Sequence, residues 1–226
     1  MAAGFVGLVS GAVILRTTGL TLVMQTLVVA VMLFEVANKA SSLTHGADGL
    51  AMEVWPIFGA FRFDLFGQIA YIYCGVVLFI CWLIVRRIVH SPFGRSLTGI
   101  RENVARMHAI GAPVYRRMIT VYAISAALAG ISGALFAQTT QFVALTSLSF
   151  DRSGTILIML IIGGVGRLYG AFIGVPLYMI AQDRFSTIDP VYWYFWIGLA
   201  MVLLVMFARG GVIGLIERVW SWRRRP

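Results

Sequence analysis

The sequence predicts an all-α membrane protein in which several helices cross the bilayer. Hydrophobic residues make up 60% of the 226 residues and charged residues only 12%, whereas soluble domains are close to half apolar and a quarter charged. The apolar residues also gather into runs as long as a membrane-spanning helix. We therefore expect one transmembrane helical bundle over residues 1–226, with no separate soluble domain.

Three apolar runs reach or approach the roughly 20 residues that a helix needs to cross the hydrocarbon core. They are residues 20–36, 66–85 and 114–138. A fourth run, residues 191–207, is slightly short and begins with Tyr and Trp. A further apolar stretch, residues 155–181, is interrupted by Gly163-Gly164-Val165-Gly166-Arg167. This break predicts two short membrane segments joined by a tight turn rather than one helix.

The arginines predict the orientation of these spans. The segment after residue 85 carries Arg86, Arg87 and five further arginines against the single acid Glu102, and the C-terminal tail is similarly basic. By the positive-inside rule, both segments face the cytoplasm. An even number of crossings, or a re-entrant pair, is then required between residues 138 and 191, and two short segments satisfy that condition.

The first apolar run, residues 2–15, fits this topology poorly. It is short for a span, and its positive charge, Arg16, follows the apolar residues, the reverse of a signal peptide. This order suggests that upstream helices precede the run or come from another chain. The alternative is an atypical short first helix.

The basic loop after residue 85 contains a predicted amphipathic helix at about residues 96–111. Its apolar residues recur at spacings of three and four, typical of one helix face. They are Leu97, Ile100, Val104, Met107 and Ile110. The other face holds Arg101, Glu102 and Arg106, with Glu102 and Arg106 in the favourable i,i+4 order. Gly111 followed by Pro113 ends the helix. On amphipathicity alone, resting on lipid headgroups is an equally good interpretation.

A set of motifs follows the chain in order between residues 91 and 215, within a similar region of about residues 15–215. They are Ser-Pro-Phe-Gly-Arg at 91–95, Arg-Glu-Asn at 101–103, Ser-Ala-Ala-Leu-Ala-Gly-Ile-Ser-Gly-Ala-Leu at 125–135, Ile-Gly-Gly-Val-Gly-Arg-Leu-Tyr-Gly at 162–170 and Arg-Gly-Gly-Val-Ile-Gly-Leu at 209–215. Together they resemble the permease subunits of ABC importers for branched-chain amino acids, most closely those of the LivM type. Two departures stand out: the family's N-terminal helices with their Gly-Gln-x-Ser stretch are absent, and Ala208 occupies a position that is commonly proline.

The resemblance implies a transport subunit rather than an enzyme. In that family the cytoplasmic helix is a coupling helix that docks on the ATP-hydrolysing subunit, so this chain is expected to hold no cofactor of its own. The residues implied at this ATPase-coupling interface are Arg101, Glu102, Ala105, Arg106 and Gly111.

The resemblance also implies partners and a location. The partners are ABC ATPase subunits, a second permease subunit of the LivH type, a periplasmic or lipid-anchored substrate-binding protein and membrane lipid. The location is the bacterial inner membrane, crossed several times, with the C-terminus in the cytoplasm. The outer loop Thr44-His45-Gly46-Ala47-Asp48-Gly49-Leu50 resembles the family's Thr-Gly-Gly-x-Gly-Leu stretch. Gly46, Asp48 and Gly49 are therefore expected to face the binding protein, although an ordered loop with no partner is equally compatible.

Two sets of small residues predict close backbone contacts. Gly163, Gly164, Gly166 and Gly170 fit a broken segment that lines the transport path or acts as a hinge, and a plain helical hairpin turn fits nearly as well. Ala126, Gly130 and Ala134 lie four residues apart, and such ridges let helices pack closely in lipid. Packing within the subunit is the expected role of this ridge, and lining the path is compatible with it.

Other functions find little support in the residues. The glycine-rich stretch lacks the Lys-Ser/Thr ending of a P-loop, and Lys39 is the only lysine. His45, His90 and His108 show no metal-ligand spacing, and the arginines between apolar runs do not form a nucleic-acid surface. An ion-coupled secondary transporter would need intramembrane acids or an inverted repeat, and a membrane-embedded enzyme a convergent polar cluster. The substrate stays open among branched-chain amino acids, urea, amides and small acids.

Overall fold

The structure, a computed structural model, describes residues 2–40, 49–51, 68–166, 168–207 and 214. The helices in these ranges are α1 (Ala2–Ile14), α2 (Leu20–Lys39), α3 (Gln68–His90), α4 (Pro92–Glu102), α5 (Val104–Ala109), α6 (Val114–Thr140), α7 (Phe150–Gly163), α8 (Gly170–Ile188) and α9 (Trp193–Phe207), with a 3₁₀ turn at Leu145–Leu148. The chain divides into two compact units, Met1–Ser147 and Leu148–Pro226. This helical architecture confirms the predicted fold class.

The three long apolar runs all form helices that are long and apolar enough to cross a membrane. These candidate spans are Leu20–Lys39, Ala70–His90 and Val114–Thr140. The second continues past Val85 to His90, because arginine stems can lie along apolar surface while the charged groups reach water. The predicted fourth run forms α9, which has 15 residues.

Apolar side chains cover the outside of these helices. Val31, Met24 and Ile72 are each more than 60% exposed. Among the described residues, no polar or charged side chain is buried. An apolar surface of this extent needs a non-aqueous environment or a partner, which agrees with the prediction of a membrane protein.

In the first unit, α1 packs along α6 through small residues on both helices. Gly7 faces Ala126 so closely that a Cβ on Gly7 would overlap the Ala126 side chain, and Gly130 faces Ala3 in the same way. Ile14, at the end of α1, is only 1% exposed. Close approach of this kind allows two helices to make extensive van der Waals contact in lipid.

Polar contacts hold the end of α1 in place. The Tyr115 hydroxyl, near the start of α6, donates to the Ala12 carbonyl oxygen at 2.6 Å. The Thr17 hydroxyl donates to Gln25 Oε1 of α2 at 2.8 Å. The first apolar run therefore forms a helix with defined neighbours in α2 and α6.

A two-stranded antiparallel sheet, which the sequence did not predict, also lies in the first unit. Strand β1 (Leu50–Ala51) pairs with β2 (Phe142–Val143), with Leu50 opposite Val143 and Ala51 opposite Phe142. The sheet connects the loop after α2 to the segment that follows α6. It was missed because strands of two residues carry no periodic pattern.

In the second unit, α7 contacts α8, and α9 contacts both. Helices α7 and α8 are joined by the glycine-rich segment. Tyr178 of α8 and Ile197 of α9 are 3% and 6% exposed and form the core of this unit.

Candidate functional site

The predicted coupling helix is two helices rather than one. The sequence predicted a continuous helix at about residues 96–111, but α4 ends at Glu102 and α5 begins at Val104. Asn103 has an extended backbone, with φ −157° and ψ 102°, and its Oδ1 accepts a hydrogen bond from the Arg106 N–H at 3.0 Å. Asparagine favours such N-cap positions because its side chain satisfies a free amide of the first turn. Glu102 and Arg106 thus lie in different helices, and the predicted i,i+4 arrangement is wrong.

The break also changes which apolar residues are covered. Ile100 is 6% exposed, as expected for the inner face. Val104 and Ile110, predicted on the same face, are 48% and 70% exposed. The prediction is wrong for these two residues because the helical periodicity restarts at Asn103. The second helix therefore presents apolar side chains outward.

The coupling residues implied by the family resemblance all lie on this outward surface. Each of the following is exposed: Arg101, Glu102, Ala105, Arg106 and Gly111. Together with Val104 and Ile110 they are a set of exposed residues in one short segment, here called the α4–α5 surface. It combines basic groups with apolar side chains, the mixture that a protein partner buries at an interface.

The start of this segment is fixed by the Ser91-Pro92-Phe93-Gly94 motif. The Ser91 hydroxyl donates to the Ile88 carbonyl oxygen at 2.6 Å and accepts from the Gly94 N–H at 3.3 Å. Pro92 occupies the first turn, where its missing N–H has no cost. A Cβ on Gly94 would overlap the carbonyl of Val89. The motif therefore turns the chain sharply from α3 into α4.

The end of the segment is fixed by Gly111. Its φ is 76°, its N–H donates to the His108 carbonyl at 2.9 Å, and the Ala112 N–H donates to Met107 O at 3.0 Å. This pair of bonds is a Schellman motif with glycine at C′. The predicted helix end at Gly111 is confirmed, and Val114, which opens α6, is 4% exposed.

One contact between α4 and α5 was missed by the sequence analysis. A Cβ on Gly99 would lie 2.9 Å from the Met107 sulfur, so Met107 packs directly over Gly99. This contact folds the two helices together in spite of the break. The small residue at Gly99, eight positions before Met107, was the only signal, and spacing on a single helix does not reveal it.

The glycine-rich segment forms a helical hairpin. Gly163, Gly164 and Gly170 are buried, and Gly166 is exposed. Gly164 and Gly166 have φ values of 113° and 92°, which residues with a Cβ rarely adopt. The predicted break is therefore present, and the geometry is that of the hairpin turn. A role as path lining or hinge stays a prediction.

Backbone packing explains the glycines of this hairpin. A Cβ on Gly163 would overlap the Gly170 carbonyl, and one on Gly174 would lie 2.9 Å from the Gly163 Cα. Gly174 was not among the predicted residues, although it lies four residues after Gly170. The two helices thus meet backbone to backbone where they diverge from the turn.

The remaining predicted residues lie apart from these features. Ala126 and Gly130 contact α1, whereas Ala134, the third residue of the ridge, is exposed. Gly46 and Asp48 fall outside the described residues. Gly49 has a φ of 74° and lies against Phe142 at the start of the small sheet.

In the part of the chain that is described, no group of three His, Cys, Asp or Glu side chains comes together.

The fold and the α4–α5 surface define a polytopic α-helical membrane protein whose spans are joined by a folded, exposed basic segment. A family model described as branched-chain amino acid transport system / permease component matches residues 1–208. The chain belongs to this family.

Individual relatives agree with the family. The chain is 25% identical over 164 residues to the high-affinity branched-chain amino acid transport system permease protein LivM of Salmonella typhimurium, covering 70% of this chain and 38% of the relative. It is 27% identical over 160 residues to a probable LivM of Methanocaldococcus jannaschii, covering 63% and 46%. It is 25% identical over 217 residues to the L-arabinose ABC transporter permease protein AraH of Azospirillum brasilense, covering 92% and 61%.

The chain thus spans between about two fifths and three fifths of the length of these relatives. No solved structure gives a significant match.

Proposed function

We propose that this chain is a membrane-spanning permease subunit of an ABC importer, driven by ATP hydrolysis in a separate subunit. The observation that supports this most strongly is the α4–α5 surface. It lies between two candidate spans, Ala70–His90 and Val114–Thr140, and its exposed residues include those that the family resemblance assigns to the ATPase interface. The proposal places this surface in the cytoplasm.

The surface suits a protein partner better than a lipid headgroup layer. A helix that merely rests on headgroups turns its apolar face toward the membrane. Here Ile100 is buried, while Ile110 is 70% exposed, and the charged residues Arg101, Glu102 and Arg106 are exposed as well. Exposed apolar and charged side chains within one short segment favour a groove in a protein.

The attachment of this segment suits the transmission of movement. The Ser91 cap and the close approach at Gly94 fix α4 to α3, and α4 also contacts α6. Gly111 and buried Val114 fix the other end to α6. Because both ends are held by backbone geometry, a displacement of α4–α5 by a partner would move both spans together.

The glycine hairpin between α7 and α8 is proposed as a second element that moves during transport. Its backbone contacts leave no side chains between the helices at Gly163 and Gly170. Glycine pairs permit small sliding or hinge movements because no side-chain interlock has to be broken. The proposal assigns the hinge to Gly164 and Gly166, whose φ values are positive.

The proposed substrates are branched-chain amino acids or related small polar solutes such as urea, amides and small acids. The relatives named LivM support the first class, and AraH, which matches 92% of this chain, makes L-arabinose a second candidate to be tested. The proposed assembly contains ABC ATPase subunits, a second permease subunit of the LivH type and a periplasmic or lipid-anchored binding protein. The assembly is proposed to lie in the bacterial inner membrane. Gly46, Asp48 and Gly49 are proposed to face the binding protein.

Cross-linking to the ATPase tests the coupling surface. Cys74 and Cys81 are first replaced by alanine, and Ala105→Cys is introduced into this background. We expect Ala105→Cys to cross-link to single cysteines placed in the membrane-facing groove of the cognate ATPase. The matched control, Thr146→Cys, is also exposed but lies beyond the opposite end of α6, and should not react. Equal cross-linking of both positions, or of neither, contradicts the proposal.

Transport in proteoliposomes tests the mechanism. Uptake of labelled leucine, arabinose or urea is measured with the complete complex and ATP inside the vesicles. Glu102→Arg should abolish uptake while leaving membrane insertion and the helical content unchanged. Uptake that persists without ATP but stops when the ion gradient is collapsed would instead indicate a secondary transporter. The solute that competes for the cognate binding protein identifies the substrate class.

A further inference from the structure

A groove runs along the basic end of α3, and its described lining shares no residue with the α4–α5 surface. Its volume is about 660 Å³, and among the described residues its lining changes from apolar to basic along the helix. The apolar part consists of Ile80, Leu83 and Ile84, and the basic part of Arg86, Arg87 and His90. These residues lie on one side of α3, since their spacings of three and four repeat with the helical period.

The basic part of the groove is held in position by neighbouring groups. The Arg86 guanidinium lies over the Trp82 ring, with its central carbon 5.2 Å from the ring centroid, and Trp82 in turn stacks on Phe79 at a centroid distance of 5.8 Å. His90 Nδ1 lies 2.8 Å from the Arg86 carbonyl oxygen. A carbonyl oxygen only accepts, so Nδ1 bears the hydrogen, and this bond fixes the orientation of the His90 ring.

The basic charge at this end of α3 has no acidic partner in the described part of the chain. Neither Arg86 nor Arg87 forms an ion pair with an acidic side chain within the described ranges. The two guanidinium groups carry two positive charges. A zwitterionic lipid has no net charge and would leave the net positive charge of this end unchanged. An acidic phospholipid, which keeps a net negative charge, complements this end better.

The apolar part fits the acyl chains of the same lipid. Ile80, Leu83 and Ile84 are 50%, 42% and 47% exposed, and no element of the described chain covers them fully. From Arg87 to Ile80 the helix rises by about 10 Å, at ~1.5 Å per residue. A headgroup at the end of the span would therefore place its acyl chains beside these residues, in the order in which polar and apolar groups follow each other in a phospholipid.

We propose that this groove is a binding site for one acidic phospholipid of the leaflet at the His90 end of the span. Arg86 and Arg87 hold the phosphate, and Ile80, Leu83 and Ile84 contact an acyl chain. The site is independent of the solute that is transported. It adjoins the Ser91 cap at the start of α4, so a bound lipid would stabilise the junction between α3 and α4.

Lipid competition in native mass spectrometry tests this site. The purified full chain in neutral detergent is titrated with equal amounts of phosphatidylglycerol and phosphatidylcholine that have the same acyl chains. The wild-type chain should bind phosphatidylglycerol preferentially. Because each basic residue near a membrane surface contributes about fivefold to such binding, the Arg86→Gln/Arg87→Gln variant should lose on the order of 30-fold in affinity for phosphatidylglycerol.

The control is a second arginine pair with the same charge. Arg116 and Arg117, at the start of α6, lie outside the groove, and Arg116→Gln/Arg117→Gln should keep the preference within about twofold. Arg86→Lys/Arg87→Lys should keep most of the preference for phosphatidylglycerol. If the glutamine variant is unstable, this lysine variant shows whether the positive charge itself is needed for binding. Equal binding of the two lipids by the wild-type chain, or equal loss in both glutamine variants, overturns the proposal.

Discussion

Adding one methyl group at Gly163 should weaken the second unit strongly, because the space is occupied by backbone. A Cβ at Gly163 would overlap the carbonyl of Gly170 and lie 3.1 Å from its Cα. No rotamer change relieves a contact with backbone, so α7 and α8 would have to separate. Overpacking of this kind costs about 1–3 kcal/mol, and we expect Gly163→Ala to fall at the upper end of that range.

The matched control lies in the same helix. Gly154 of α7 has open space around its Cβ position, and Gly→Ala in a helix interior gains up to about 1 kcal/mol. The two single-methyl variants should therefore differ by about 3–4 kcal/mol in free energy of unfolding. With a shift of roughly 2–4 °C per kcal/mol, their midpoints should differ by on the order of 10 °C.

Thermal unfolding followed by circular dichroism at 222 nm, in one detergent for all proteins, measures this difference. Gly154→Ala should melt at or above the wild-type temperature, and Gly163→Ala well below it. If the two variants melt at the same temperature, the backbone contact between Gly163 and Gly170 does not hold the hairpin, and the proposed role of its glycines fails with it.

Three further substitutions and one control test the first unit. Gly130→Ala should destabilise the contact between α6 and α1 by about 1–3 kcal/mol, while the control Gly133→Ala, which meets open space in the same helix, should not. Equal melting temperatures of the two variants would refute the close packing of Gly130 against α1. Asn103→Ala removes the cap of α5 and should cost about 1 kcal/mol, seen as roughly fivefold faster amide exchange in residues 104–109; unchanged exchange there would mean that the cap is dispensable. Gly49→Ala, at φ 74°, should cost about 1–2 kcal/mol and release the pairing of Leu50 with Val143, again by amide exchange; retained protection would contradict this.

The spans were predictable because they depend on hydrophobicity averaged over many residues. The run 114–138 became α6 (Val114–Thr140) almost unchanged. Helix ends with strong local chemistry were equally readable, as Gly111 demonstrates, because a C′ glycine acts through its own φ. These features need only the chain near them.

Features that depend on distant residues or on a local competition were missed. Asn103 fits a helix interior poorly and an N-cap well, but the continuous apolar pattern around it suggested one helix. The contact of Gly7 with Ala126 joins residues far apart in the sequence, so the ridge on α6 was visible while its partner on α1 was not. The exposure of Ala134 was missed for the same reason. Only the structure shows which part of α6 is covered by α1.

The orientation of the α4–α5 surface decides whether a cytoplasmic ATPase reaches it. A membrane-impermeant maleimide, applied to Ala105→Cys in the chain without Cys74 and Cys81, measures this directly in intact cells and in inside-out vesicles. We expect labelling in inside-out vesicles alone, with Thr146→Cys labelled in intact cells alone. Labelling of Ala105→Cys in intact cells would place the surface outside the cytoplasm and contradict its role in coupling to ATP hydrolysis.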